Sequence, residues 1–484
     1  MSAATARRCP AAAFGFARIV FGSRFSVVAD GFGADHRGIR RFVVDSLRRA
    51  VSTPLLYFFI LGDILGAGVY VLVGSIAGES GGAVWLPLLV ALGLACLTAG
   101  SYAELATKYP KAGGSAHYAG RALGPAAGSL VGFCMLAAGV VSVAALSRAF
   151  AADYLRALVT LPTAVVVVVF LTTLASLNVY GIKESLRANV AATLVEVGGL
   201  VVVIGLGAWV VFRGDADPGR LTEVGTAERG VVGATLAGAV LAFYSFVGFE
   251  TSVNLAEEVT EPRRSYPRAL FGALLTAGGV YLLIGLAAGA VVPTDRLANS
   301  SGPLLEVVRA AGGVPDELFA VVALVAVANG ALLTGIMSSR LAYGMAREGL
   351  LPRALGRVLP GRRTPWVAIV VTALVSLLLA LTGEVAALAE TLVLLLLVVF
   401  TAVNVSVLIL RREPHEAEHF RVPVVAPWLG LVSCLFLFTR IDAEVWLRGS
   451  ILIGVAVLFA AANAVRARLS EPHRRGAFPA GRGA

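Results

Sequence analysis

Hydrophobic positions in this chain come in long runs separated by short polar links. From Pro54 onward the runs lie near 54–77, 84–107, 126–147, 162–180, 189–212, 230–256, 268–292, 317–343, 365–381, 385–410, 425–439 and 449–466. A helix that crosses a bilayer needs ~20 mostly apolar residues. The pattern therefore predicts an all-α integral membrane protein with about 12 transmembrane helices, the eleventh being short. Membrane β-strands do not fit, because the runs are too long and do not alternate.

Two runs carry an interruption. The first contains Gly62-Asp63-Ile64-Leu65-Gly66-Ala67-Gly68, and the sixth contains Tyr244-Ser245-Phe246-Val247-Gly248-Phe249-Glu250. Both are too glycine-rich or too polar for an undisturbed membrane helix. They are the first members of two sets of five spans, 1–5 and 6–10. Broken helices in corresponding places of two halves point to an inverted-repeat transporter with its site near the midplane. Unwound backbone at that depth is tolerable only where it lines a cavity or holds a ligand. Gly62-x-x-x-Gly66 also fits close helix packing, and the second break in register favours the site.

Composition agrees with a membrane location. Of 484 residues, 58% are hydrophobic and 14% charged, against ~45–50% and ~25% in soluble domains. A soluble chain this apolar would expose large aggregating patches, and the same numbers exclude disorder.

The net charge of +10 does not point to nucleic acid, because the basic residues fall in clusters between apolar runs. Nearly all are Arg; Lys108, Lys111 and Lys183 are the lysines. With the N-terminus inside, most of them sit in cytoplasmic segments, among them Arg48, Arg49, Arg263, Arg264, Arg362, Arg363, Arg411 and Arg412, as the positive-inside rule requires. An even span number returns the C-terminus to the same side. The expected organisation is a basic cytoplasmic arm at 1–45, a twelve-helix unit at 46–468 and a cytoplasmic tail at 469–484. Within the unit, repeat one covers about 50–212, repeat two about 230–410, and two extra helices about 425–466. Residues 1–45 carry no apolar core before a cleavage-like site, which argues against a secretory signal; they read as a disordered arm or an over-long gene start. Cys9, Cys96, Cys134 and Cys434 have neither metal spacing nor disulfide density and read as small core residues.

The chain from about 46 to 468 resembles the amino acid–polyamine–organocation (APC) permeases. The resemblance rests on Gly62 to Tyr70, on Tyr102-Ala103-Glu104-Leu105 with Pro110, Ala112, Gly113 and Gly114, and on Gly248-Phe249-Glu250 with Ala256-Glu257-Glu258, Pro262 and Pro267. It continues at Ser339-Arg340, Tyr343, Ala346-Arg347-Glu348-Gly349 and Pro352. It implies a LeuT-like core of 5+5 inverted repeats with helices 1 and 6 broken, plus two extra helices. The implied activity is secondary transport of an amino acid, with no cofactor and no enzymatic reaction.

For such a break, free N–H groups at Gly66, Ala67 and Gly68 can hold a substrate carboxylate, helped by the positive end of the half-helix that begins there. Carbonyls near Tyr244, Ser245 and Val247 can accept from the α-ammonium. Ile64 and Gly248 complete the expected substrate contacts. The resemblance places a gating aromatic at Tyr244; Phe246 is a lesser candidate, and Phe249 reads as packing. Ionisable groups inside spans are costly and usually functional, which marks Asp63 and Glu196 for ion coupling, with Thr334 as the expected neighbour of Glu196. Proton-coupled relatives often carry Lys where Glu196 stands. The carboxylate can bind a proton, bind Na⁺, pair with a cationic substrate, or sit as a neutral acid bonded to a carbonyl. Glu250 is expected to hold helix geometry. Glu104, Glu257, Glu258, Arg340 and Arg347 form inner-gate ion pairs or a solvated boundary.

His415-Glu416-Ala417-Glu418-His419 matches the H-E-x-x-H zinc signature. It follows Pro414 in a charged loop, without a long helical pattern or an obvious third ligand, so a membrane zinc protease is the remote alternative. The reading is a carrier that moves an α-amino acid across the cell membrane by alternating access, in proton symport. Exchange, or a polyamine or organic-cation cargo on the same fold, are the alternatives.

Overall fold

The computed structural model describes residues 51–470, except 66–67, 111–112, 181–182, 226–229, 257–258, 301, 348, 360–361, 363, 415–417 and 442. The expected arm at 1–45, the tail beyond 470, and the sequence candidates Gly66, Ala67, Glu257, Glu258 and His415 to Ala417 lie outside the described residues.

Among the described residues the chain is helical, and each of the twelve apolar runs forms a helix. Ten are long and apolar enough to cross a membrane; Trp366–Thr382 and Val425–Phe438 are shorter apolar helices. Span 1 consists of Thr53–Leu65 and Gly68–Ser80. Spans 2 to 5 are Trp85–Lys108, Pro125–Ala149, Thr163–Tyr180 and Lys183–Arg213. Span 6 is Val231–Ser245, continued after a turn by the 3₁₀ segment Phe249–Leu255. Spans 7 to 12 are Pro262–Val291, Asp316–Arg347, Trp366–Thr382, Val385–Leu410, Val425–Phe438 and Ala443–Ser470. The apolar runs understate spans 5, 8 and 12, whose polar ends continue the helix beyond the hydrophobic stretch. Three short helices, Gly114–Leu123, Thr294–Ala298 and Pro303–Ala311, leave no mark of spanning length in the sequence.

Span 6 stops for a local reason. Phe246 N–H bonds Phe243 O and Val247 N–H bonds Tyr244 O, a tightening of the last turn that often closes a helix. Gly248 then takes φ +128°, a conformation that glycine adopts without a Cβ penalty. Spans 2, 6 and 10 are held around Phe400, whose ring meets Tyr102 and Phe243 edge-on and stacks on Phe249 at 5.5 Å. Such pairs add ~0.5–1.5 kcal/mol each beyond area burial, and they confirm Phe249 as a packing residue.

Two faces of the bundle are tied by loops. On one, Gly225 N–H bonds Ser80 O, Asp217 N–H bonds Ala290 O, and the Trp85 indole bonds Leu221 O. On the other, the buried Glu104 carboxylate receives Arg411 in a fork of 2.6 and 2.5 Å and the Val422 N–H at 3.1 Å. Lys108 there caps Leu410 O and Glu413 O. Apolar side chains such as Val169, Leu374 and Leu458 face outward, a surface that suits lipid and not water.

Candidate functional site

Span 1 and the break of span 6 touch through backbone. A Cβ on Gly68 would overlap the Cα of Ser245, and one on Gly248 would lie 2.7 Å from Asp63 O. Both distances are below any real Cβ contact, so the glycines are what lets the broken helices meet. Across the break, Thr251 Oγ1 donates to Asp63 Oδ2. Gly248 N–H donates to Glu250 Oε2 at 2.9 Å, which gives Glu250 the helix-holding part expected of it. Tyr281 donates to Ile64 O at 2.6 Å, satisfying a carbonyl that the end of the first half-helix leaves open. The Ser245 hydroxyl is fully buried and has no partner among the described residues, and a buried polar group in that state calls for a ligand or water.

A cavity lies against this junction. It encloses about 720 Å³ of space between atoms, counted with its open mouth. Asp63, Ile64, Gly68, Tyr244, Val247, Gly248 and Thr334 are in its wall. Ser245 backs the wall through its contact with Gly68. Phe246 does not reach the cavity; it is buried edge-on against Tyr281, 5.3 Å between centroids. Tyr244 turns its hydroxyl toward Ser142 of span 3 across the cavity.

The cavity is wetter at one end. Met135, Asn254, Met337 and Leu341 are partly exposed, whereas Ser142, Leu146 and Tyr244 are buried. At 1.5 Å per helical residue, Leu341 stands one to two turns from Arg347, on the face that carries Lys108 and Arg411. The cavity thus opens toward that face and is shut toward the other beneath Tyr244.

Glu196 sits behind the first break, outside the cavity wall. Its side chain is fully buried; Oε1 accepts from Asn329 Nδ2 at 3.2 Å, while Oε2 has no partner among the described residues. The same Asn329 amide reaches Asn189 Oδ1 at 3.0 Å. Tyr70 bonds the Glu196 carbonyl at 3.1 Å. Gly62 packs where a Cβ would strike Thr193 Oγ1 and lie 3.0 Å from Asn189 Oδ1. Asn189, Thr193 and Glu196, at spacings of four and three, line one face of span 5 against the break. The expected neighbour Thr334 is a residue of the cavity wall instead. Asn329, five residues earlier on span 8, holds Glu196, because a helix turns through well over a full turn in five residues.

Two further groups were singled out in the sequence, and of the second His415 and Glu416 lie outside the described residues. Glu104 pairs with Arg411 of span 10, and Arg347 lies over the Tyr343 ring at the exposed helix end. In the H-E-x-x-H string, His419 Nε2 accepts from Arg421 at 3.2 Å. Among the described residues no group of three His, Cys, Asp or Glu is placed to hold a metal ion. The sequence did not say which residues of spans 3, 8 and 10 line the wall, nor that Thr251 is the partner of Asp63. Asn329-Gly330 and Ser338-Ser339, polar or small pairs inside an apolar run, were the available signal.

Residues 51–468 match the family model described as amino acid permease. An uncharacterized transporter of Mycobacterium tuberculosis is 32% identical over 422 residues, 86% of this chain and 92% of its own. The vacuolar cationic amino acid transporter 2 of Arabidopsis thaliana is 31% identical over 414 residues, 78% of this chain and 64% of its own. The branched-chain amino acid permease BcaP of Bacillus subtilis is 27% identical over 452 residues, 86% and 93% respectively.

Proposed function

Because the chain belongs to the amino acid permease family of the APC superfamily, we propose that it is a secondary carrier of an α-amino acid. It works by alternating access on a LeuT-like frame of two inverted five-helix repeats. The observation that carries this reading is the cavity where Gly68 and Asp63 of span 1 meet the break of span 6. Backbone groups freed at Gly66 to Gly68 take the substrate carboxylate, and carbonyls of span 6 at Tyr244, Ser245 and Val247 take the ammonium. The unpartnered Ser245 hydroxyl supports a polar head group at this spot.

The protein sits in the cell membrane with both termini cytoplasmic. Lys108, Arg121, Arg347, Arg362 and Arg411 share the face toward which the cavity opens, and such a basic face is cytoplasmic under the positive-inside rule. The shape described is then inward-facing, with Tyr244 as the closed outer gate. Transport is proton symport, with Asp63 or Glu196 as the proton carrier. Asp63 and Glu196 are both buried within spans, where charge is expensive. The Glu196 oxygen without a partner supports a group that changes its proton during the cycle.

Uptake of pooled labelled amino acids into proteoliposomes tests this, with and without an inward proton gradient. Gradient-stimulated uptake is expected. Uptake that requires internal amino acid and ignores the gradient replaces symport by exchange. Absence of amino acid uptake by folded protein, with uptake of a polyamine, sinks the reading.

A further inference from the structure

We infer that the cargo is an α-amino acid with an uncharged, aliphatic side chain; this rests on the carrier reading above. The cavity has two chemically distinct sides. The side at the breaks is polar, with Asp63, Glu250 and Thr251 among backbone turns. The opposite side is built by spans 3, 8 and 10. Its described lining residues include Met135, Ala138, Met337, Leu341, Leu392 and Leu396, and none of those from these three spans is charged.

A head group held at the breaks points its side chain at this second wall. The hydroxyl groups there are neutral, and Ser338 donates its own to Thr334 O at 2.8 Å. The acids on the polar side are engaged as well, Asp63 by Thr251 and Glu250 by the Gly248 N–H. An ammonium or guanidinium laid on the second wall would lose water and meet no counter-charge, which is a heavy penalty. A carboxylate side chain would fare no better.

An aliphatic side chain fits the same wall by giving up its hydration to methyl, methylene and thioether groups. Met135 and Met337 are unbranched and flexible, so they adapt to differing shapes. The wall therefore selects a class, valine, leucine, isoleucine and methionine, and does not single out one member. Uniform apolar lining discriminates poorly between chains that differ by a methylene, but strongly against a charge.

The test uses the full-length protein in proteoliposomes, with counterflow of labelled leucine and labelled arginine measured side by side. Valine, isoleucine, methionine, lysine and glutamate serve as competitors. Leucine is expected to exceed arginine by about 100-fold or more in kcat/KM, with valine, isoleucine and methionine competing and lysine and glutamate not. Met337→Glu, which puts a carboxylate on the wall, is expected to raise arginine relative to leucine; if that variant does not fold, the wild-type ratio still decides. Arginine, lysine or glutamate matching leucine in the wild type overturns the side-chain class and leaves an amino acid carrier standing. No counterflow of either label, with thermal stabilisation of the protein by spermidine alone, overturns the carrier reading itself.

Discussion

Gly68 and Ser245 meet backbone to backbone, so Gly68–Ser80 of span 1 rests directly on the last turn before the break of span 6. The atom a side chain on Gly68 would strike is a Cα, which cannot swing aside as a side-chain tip does. Gly68→Ala must therefore part the two breaks, and Gly68→Val must part them further. A shift of about 1 Å in a positioned site costs on the order of 100-fold in rate. Both variants are expected to lose transport while inserting in the membrane. Gly93→Ala, where no atom lies within 4 Å of the added methyl, is the control and should transport normally. Proteoliposome uptake normalised to inserted protein is the measurement, and full activity in Gly68→Val removes the junction from the site.

Tyr244→Phe deletes the hydroxyl that faces Ser142 without changing the ring. A net hydrogen bond contributes ~0.5–1.5 kcal/mol, so the equilibrium between closed and open outer gate should move up to about tenfold toward open. Labelling of a cysteine introduced at Leu146 by an impermeant reagent added outside should rise accordingly. Unchanged labelling would mean that Tyr244 packs but does not latch.

Glu196→Gln keeps the shape of the side chain and the Asn329 contact but cannot release a proton. Uptake is expected to lose its dependence on the proton gradient while substrate exchange persists. Should the pH dependence of uptake survive intact, Asp63 inherits the coupling role, and Asp63→Asn becomes the decisive variant.

The Glu104–Arg411 pair is nearly solvent-free, with 2% and 16% of the two side chains exposed. Removing one partner from a buried pair typically costs ~3–5 kcal/mol, because the other charge stays buried alone. Arg411→Met should lower the melting temperature clearly in detergent, and Glu104→Gln with Arg411→Met should recover part of the loss. Differential scanning fluorimetry reads both. If the double variant is as unstable as Arg411→Met, the Val422 backbone contacts, and not the stranded charge, account for the effect.

Glu413 gives a pH signature on the same face. Tyr109 donates to its carboxylate at 2.7 Å and Arg121 at 3.0 Å. The tyrosine bond first, then the arginine, hold its carboxyl below the usual range. A lowered value stabilises the fold above the unfolded-state value of ~4.3 and ceases to do so as pH falls through the folded value. The group is well exposed, so the effect is ~0.2–1 kcal/mol. Glu413→Gln should be slightly less stable than wild type at pH 7 and indistinguishable from it near pH 3.

The sequence disclosed the spans and the break of span 6 because each is a local departure in a long apolar run. It could not disclose which faces of spans 3, 8 and 10 look into the cavity. In a membrane bundle both the lipid side and the packed side of a helix are apolar, so the periodicity that orients helices in soluble proteins is weak. Asp63 and Glu196 were visible as acids within spans, yet their partners were not. Thr251 is 188 residues from Asp63 in the chain, and Asn329 is placed by the register of span 8 against span 5, which an apolar helix pattern leaves open. The short helices Thr294–Ala298 and Pro303–Ala311 were hidden by length.

The division of the cavity into a backbone side and a side-chain side bears on how such a carrier diversifies. Gly68 and Gly248 are fixed by backbone atoms that cannot swing aside, so the part proposed to grip the common end of every cargo resists change. The wall of spans 3, 8 and 10 has no such constraint, and a single substitution there alters what fits without disturbing the grip. A duplicated gene can thus reach a new cargo by drift on three helices, and an engineer can take the same route, leaving the two breaks untouched.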